Sequence, residues 1–218
     1  MPQITAVTPQ KKKPSRYNIF LDGHFAFGIE DESLIKHKLK VGLSLTQEEI
    51  KEIVKEGKLG NLVNKSLNFL SYRPRSQKEI EDYLAKKIAA AEEIKFNQAK
   101  ASSLISEVIA KLKKYKYIND YDFAKWWLES RLKSNPKGPR LIEMELREKN
   151  IDKQIIEKVL VSFSDQKSVA LKSLQKKLPR LQKLPTIEFK KKVYMHLASR
   201  GFGSETIQET IAFLTKKR

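Results

Sequence analysis

From residue 61 onward, apolar side chains return every three or four positions along most of the chain. That spacing predicts helices, each with one buried stripe. Leu62, Leu67 and Leu70 mark a helix ended by Tyr72-Arg73-Pro74. Ser76 and Glu79 open the next as a capping box, with Ile80 and Leu84 on one face. A long helical stretch follows from about Ala89 to Lys114. Asp120 offers a cap for a helix that carries Phe123, Trp127 and Arg131. Pro139 suits the first position of another helix, where its missing N–H is no loss. Ile142 and Leu146 face the core of that helix, and Asn150 suits a left-handed stop. Asp152 then caps a helix bearing Ile155, Ile156, Val159 and Leu160.

This unit of helix, left-handed turn and capped helix recurs. Leu197 stands where Leu146 does, Arg200-Gly201-Phe202 replaces Lys149-Asn150-Ile151, and Ser204 caps a helix with Ile207, Ile211 and Leu214. A looser copy begins at Ser76, with Leu84 and then Lys87-Ile88. Copies roughly 50–60 residues apart predict stacked helical units, each needing its neighbours to bury more than one stripe. Lys137-Gly138-Pro139-Arg140 is then a helix start within a repeat.

The first 60 residues read differently. In Tyr17–Phe27, aromatic and β-branched residues flank Asp22-Gly23, a two-residue hairpin turn whose central positions need positive φ. We expect a short hairpin, the only strands in the chain. Two short helices follow, over Asp31–Leu39 with Leu34, Ile35 and Leu39 inward, and from a Thr46/Glu49 capping box with Ile50, Ile53 and Val54 buried. The expected modules are 1–58, a hairpin with short helices, and three helical repeats at 59–118, 119–163 and 164–218.

Charge changes the picture from fold to partner. The net charge is +18 over 218 residues. Residues 165–218 hold 13 Lys and Arg against 4 Asp and Glu, so about half the excess lies in the last quarter. Such a field attracts polyanions: nucleic acid, a nucleoprotein or an acidic protein surface. With 40% hydrophobic residues the chain can bury a core. Cysteine is absent, which excludes disulfides, thiolate metal sites and thiol nucleophiles, and fits a reducing compartment. No apolar run reaches membrane-spanning length, and the basic start has no apolar segment after it to make a signal peptide.

Catalytic readings find little support. His24, His37 and His196 share no metal-ligand spacing. Lys137-Gly138-Pro139-Arg140 lacks the two glycines and Lys-Ser/Thr of a P-loop. Glu143 and Glu145 point to different helix faces and make no carboxylate pair. We expect no catalytic residues, cofactor or metal. Adjacent Trp126 and Trp127 diverge by about 100° on a helix. Trp127 is core, and Trp126 either packs on the next repeat or anchors a partner. Arg73, Arg75, Arg131, Lys137, Arg140 and Arg147 lie near helix ends or exposed faces, open either to glutamate pairing or to an anionic partner. Lys137 and Arg140 stand beside a helix N-terminus, whose N–H groups could join them on a phosphate or carboxylate. Lys190, Lys191 and Lys192 have few acids nearby and are the better polyanion contact.

Three segments, YRPRSQKEIEDYLAKK, YINDYDFAKWWLESR and KGPRLIEMELREKNID, resemble the RecX regulatory proteins of bacteria. The resemblance is strong over Tyr72–Leu160 and weaker through Leu197–Phe202. RYNIFLDGHFAFGI is similar to the hairpin extension of longer members. The resemblance implies a mainly α fold: tandem three-helix repeats in an elongated, curved array behind a short N-terminal β-hairpin module. It also implies a monomeric cytoplasmic protein that binds the RecA recombinase filament, and single-stranded DNA directly or through that filament. Growth, ATPase, recombination and co-protease activity of the filament would be reduced. Tyr117 departs from the family, standing where a glycine is expected, and the first repeat is longer than usual. The ten partner-binding candidates are Arg73, Arg75, Trp126, Arg131, Lys137, Arg140, Arg147 and Lys190 to Lys192. The rival is a general DNA- or RNA-binding helical protein acting through its basic surface, as helix-turn-helix proteins do. A third reading is a helical scaffold for another acidic partner.

Overall fold

Asp22 and Gly23 both take positive φ, 48° and 84°, in the computed structural model, which describes residues 1–11 and 13–216. They turn strand β2 (Lys13–Leu21) back into β3 (His24–Glu30), with Ile19 opposite Phe27 and Tyr17 opposite Ile29. The hairpin is therefore as the turn chemistry demands. It is not alone. A further strand, β1 (Ile4–Gln10), pairs antiparallel with β2 and completes a three-stranded sheet in the order β1-β2-β3. Only Ile4 of β1 is buried, so the strand carries no readable alternation. Pro9 is tolerated because β1 lies at the sheet edge.

Helix α1 (Asp31–Lys36) is shorter than expected, and Ile35 is 74% exposed rather than inward. Helix α2 (Gln47–Leu70) begins with the expected capping box, Thr46 accepting from the Glu49 N–H while Glu49 accepts from the Thr46 N–H. It then runs 24 residues without a break, where the sequence suggested two helices. Gly57 explains the continuity. A Cβ there would stand 2.9 Å from the Gly28 carbonyl oxygen of β3, so this glycine lets the helix lie on the sheet rather than ending it. Ile4, Ile19, Phe27, Ile29, Leu39, Leu45 and Ile53 form the core beneath.

Glu56 of α2 fixes α1. It accepts hydrogen bonds from Ser33 and Lys36, and His37 Nε2 lies 2.8 Å away. Burial alone would raise its carboxyl, but the bonds from His37, Lys36 and Ser33 outweigh it and hold the group at about 2. A depressed folded value means stabilisation that is full above the ordinary carboxylate range and fades as pH falls toward 2. The side chain is 28% exposed, so we expect a modest loss of about 1–2 kcal/mol on acidification from pH 5 to 2.5. Urea midpoints across that range should show it, and Glu56→Gln should flatten the slope.

The remaining helices are α3 (Gln77–Glu92), α4 (Phe96–Lys100), α5 (Ser103–Lys114), α6 (Asp120–Ser134), α7 (Pro139–Glu148), α8 (Lys153–Val161), α9 (Gln166–Leu174), α10 (Leu178–Leu181), α11 (Thr186–Ser199) and α12 (Ser204–Lys216). The stretch from Ala89 to Lys114 is thus three helices, not one. The first repeat does not turn at Lys87-Ile88. Ala89-Ala90-Ala91 are strong helix formers and carry α3 on to Glu92. Ser204 is the first residue of α12 rather than the residue before it.

One turn recurs throughout. Lys38, Glu93, Lys116, Asn150 and Gly201 all have φ between 50° and 82°. In each, the next N–H reaches back five residues: Leu39 to Leu34, Ile94 to Ala89, Tyr117 to Leu112, Ile151 to Leu146 and Phe202 to Leu197, at 2.9–3.1 Å. This six-to-one bond is the Schellman closure, made entirely of main chain. It therefore accepts lysine or glutamate as well as glycine, at a cost of about 1–2 kcal/mol for the left-handed non-glycine residue.

The chain divides into two units, Met1–Arg73 with Glu81–Tyr117, and Pro74–Ile80 with Ile118 onward. In the second, one cluster gathers Phe123, Trp127, Ile142, Leu146, Ile151 and Ile156. Another gathers Leu174, Phe189, Val193, Leu197, Phe202 and Ile207, and Val169 packs against both. Helix starts here dock onto neighbouring turns. The Gln77 N–H at the start of α3 donates to Asp120 Oδ1, Lys78 Nζ to the Glu148 carbonyl, and Lys149 pairs with Glu79. At the start of α7, the Gly138 and Arg140 N–H groups donate to the Arg200 and Gly201 carbonyls. Asp120 is thus spent on a neighbour, and Asn119 caps α6 in its place. A Cβ on Gly138 would fall 2.4 Å from the Gly201 backbone, so the glycine and the proline-locked start serve the docking.

Candidate partner-binding surface

Glu145 sits at the centre of the middle repeat, and its side chain is 13% exposed. One oxygen accepts from Trp127 Nε1 and Arg131 Nε, both at 2.8 Å, and the other from Lys137 Nζ. The Arg131 guanidinium also lies over the Trp127 ring, 4.1 Å from its centroid. Burial would raise the Glu145 carboxyl, but hydrogen bonds from Arg131, Lys137 and Trp127 prevail and hold it below the ordinary range. Arg131 and Lys137 are thereby drawn inward, 25% and 16% exposed. The arrangement positions α6 against α7 and holds the segment that leads into α7.

The other candidates fall in different places. Arg147 is exposed and pairs with Glu143 one turn away, an ion pair of little energetic weight. Arg140 is exposed, but its N–H and that of Gly138 are taken by carbonyls, so those N–H groups are closed to an anion. Arg73 and Arg75 are half-buried. Trp126 is half-buried against its own repeat's core, 6.0 Å from the Phe123 ring and 6.1 Å from that of Trp127. Lys190, Lys191 and Lys192 are exposed on α11, opposite Phe189, Val193 and Leu197, and form no ion pair among the described residues. The structure brings Arg131 and Lys137 together and leaves the lysine triplet facing solvent.

A second basic feature was not read from the sequence. Lys133, Lys172, Lys176, Lys177 and Arg200 line a hollow of about 290 Å³ with His196 and without any acid. Its residues come from the ends of α6, α9 and α11, too far apart in sequence to announce one another. Charge density around Lys172–Lys177 was the available signal. His196 Nε2 faces the Ser173 carbonyl at 3.1 Å, so it carries the proton, and Nδ1 accepts from Lys177. Burial pushes this imidazole down, the bond to Ser173 opposes, and the charges of Lys177 and Arg200 push down further. Among the described residues, no three His, Asp or Glu converge as a metal site, and no helix is long and apolar enough to cross a membrane.

Comparisons with known proteins agree on one family. Residues 2–46 match the profile of the regulatory protein RecX N-terminal domain. Residues 63–95, 119–160 and 165–211 match the first, second and third three-helix domains of RecX. Regulatory protein RecX of Bacillus subtilis is 40% identical over 209 residues, which is 95% of this chain and 75% of that protein. Regulatory protein RecX of Listeria monocytogenes is 36% identical over 93% of this chain and 72% of its own. A crystal structure of regulatory protein RecX superposes with a TM-score of 0.71 at 26% identity, covering 96% of this chain and 98% of that one. The structure of RecX from Lactobacillus salivarius gives 0.60 at 28% identity over 72% and 97%. With a mainly helical fold of three-helix repeats behind a small antiparallel sheet, the chain belongs to the RecX family of regulatory proteins.

Proposed function

We propose that this protein regulates the RecA recombinase by binding the filament RecA forms on single-stranded DNA, and that it acts by contact rather than by catalysis. The observation that carries this reading is the exposed Lys190-Lys191-Lys192 face of α11, without an ion pair among the described residues, on a chain of regulatory family. A filament of protein on a phosphate backbone is a long polyanion, and successive helical repeats can meet it through many modest contacts. The hollow lined by Lys133, Lys172, Lys176, Lys177 and Arg200 extends the cationic surface of the same unit.

An ATPase titration on preformed RecA filaments tests it. Added protein should depress hydrolysis in a dose-dependent way. Replacing Lys190, Lys191 and Lys192 together by Glu should raise the half-inhibitory concentration about tenfold at 0.1 M salt, because three attractive charges become repulsive. The thermal midpoint should stay near wild type, since all three side chains face solvent. Undiminished hydrolysis at saturating protein would overturn the reading. Tight binding to naked DNA without any effect on the filament would favour the general nucleic-acid-binding alternative.

A further inference from the structure

Lys113-Lys114-Tyr115-Lys116-Tyr117 closes α5, and its side chains are more exposed than those of the other Schellman turns. The residue after the left-handed position ordinarily packs back on its helix. Leu39, Ile151 and Phe202 do so, with 6%, 5% and 2% exposure, while Ile94 is 37% exposed. Tyr117 holds the same position and is 55% exposed, and Tyr115, two residues earlier, is 58% exposed. The main-chain bonds from Lys116 and Tyr117 close the turn regardless of either ring. Neither aromatic is therefore explained by the local fold.

The two rings lie side by side, with centroids 6.4 Å apart and planes tilted by 48°. They do not stack on each other. At that distance and tilt they touch as one exposed aromatic patch whose faces are available to a further flat ring. Lys111, Lys113, Lys114 and Lys116 surround them, all exposed and without an ion pair among the described residues. Lys114 Nζ sits 6.0 Å from the Tyr115 centroid. No Asp or Glu occurs between Val108 and Ile118. Lysine again fills the left-handed position, where glycine would be less strained.

Flat apolar rings interleaved with unneutralised cations match one chemistry, an unpaired nucleobase carried on a phosphodiester backbone. We propose that Tyr115 and Tyr117 form a stacking platform for single-stranded nucleic acid, with Lys111, Lys113, Lys114 and Lys116 holding the flanking phosphates. A duplex keeps its bases stacked inside and offers the lysines only its backbone. The site deepens the function proposed above by giving this chain its own contact with the single strand, and it needs no recombinase to be seen.

The test is fluorescence anisotropy of a labelled 20-nucleotide oligo-dT with the full chain, without recombinase, so its outcome is separate from that of the ATPase titration. Replacing both tyrosines by Ala should weaken binding at least tenfold and leave the salt dependence unchanged. Leu at both positions keeps apolar bulk but no π-face, and should weaken binding as much. Replacing Lys113, Lys114 and Lys116 by Gln should flatten the salt slope by about 2, near 0.7 for each phosphate no longer neutralised. Blunt duplex should respond to the lysine variant and not to the tyrosine variants. Binding by the tyrosine variants within twofold of wild type, full affinity with Leu, or equal weakening on duplex and single strand would each overturn the proposal.

Discussion

Alanine at position 138 is expected to destabilise the second unit by roughly 3 kcal/mol or more, although Gly138 itself has an ordinary extended backbone. The reason lies across the junction. A Cβ there would meet the Gly201 carbonyl carbon and oxygen at 2.4 Å and the Phe202 nitrogen at 2.5 Å. These are backbone atoms of a turn already tied to Leu197 and Ala198, and they cannot rotate aside as a side chain would. Relief requires separating α7 from the α11–α12 turn, which forfeits the bonds from Gly138 and Arg140 to Arg200 and Gly201. Gly201→Ala should be at least as severe. It adds a side chain at φ 82°, and its Cβ would sit 2.5 Å from the Leu141 nitrogen. Gly203→Ala is the control, because nothing lies within 4 Å of its Cβ and its backbone needs no positive φ, so it should fall within about 0.5 kcal/mol of wild type. Urea unfolding followed by tryptophan fluorescence measures all three. A Gly138→Ala protein as stable as wild type would remove the junction from the account of how the second and third repeats are joined.

Removing the Glu145 carboxylate should have a comparable effect for an electrostatic reason. Glu145→Ala leaves Arg131 and Lys137 facing each other in a site where both are mostly covered. It also strips Trp127 Nε1 of its acceptor. Breaking a largely buried charge network on one side typically costs about 3–5 kcal/mol, mostly from the stranded charge. Glu145→Gln keeps an oxygen for Trp127 and should fall between Ala and wild type. The pH behaviour fixes the sign: the carboxyl is held low in the folded chain, so its contribution is complete above the ordinary carboxylate range and disappears as acid protonates the folded group. Wild type should therefore lose stability relative to Glu145→Gln on acidification. Parallel pH profiles for the two proteins would sink this interpretation, and the indole N–H resonance of Trp127 reports the same bond directly.

How much of this was legible depended on how local the cause was. Asp22-Gly23, the Thr46/Glu49 box and the Asp152 cap act within four residues, and each is where its chemistry places it. Asn150 and Gly201 announced left-handed turns. Glu93 and Lys116 make the same turn without a marker, because the closure uses main-chain atoms only. The helix from Thr46 and the one from residue 61 read as separate, yet they are one, and the role of Gly57 within it is set by a strand almost 30 residues earlier. β1 was hidden because its neighbours, not its own pattern, make it a strand. Of the chemistry, the excess of lysine was plain, and on α11 Lys190, Lys191 and Lys192 form no ion pair among the described residues. That Arg131 and Lys137 share one carboxylate was not, since no spacing rule links positions 131, 137 and 145.

Two helix starts in the second unit borrow their first acceptors from chain made later. Gln77 at the head of α3 waits for Asp120, and Gly138 at the head of α7 waits for Arg200. On a ribosome that adds about 5–20 residues per second, those partners emerge seconds afterwards. Each new repeat therefore finishes the one before it, and a nascent chain halted between them holds a helix with an open end.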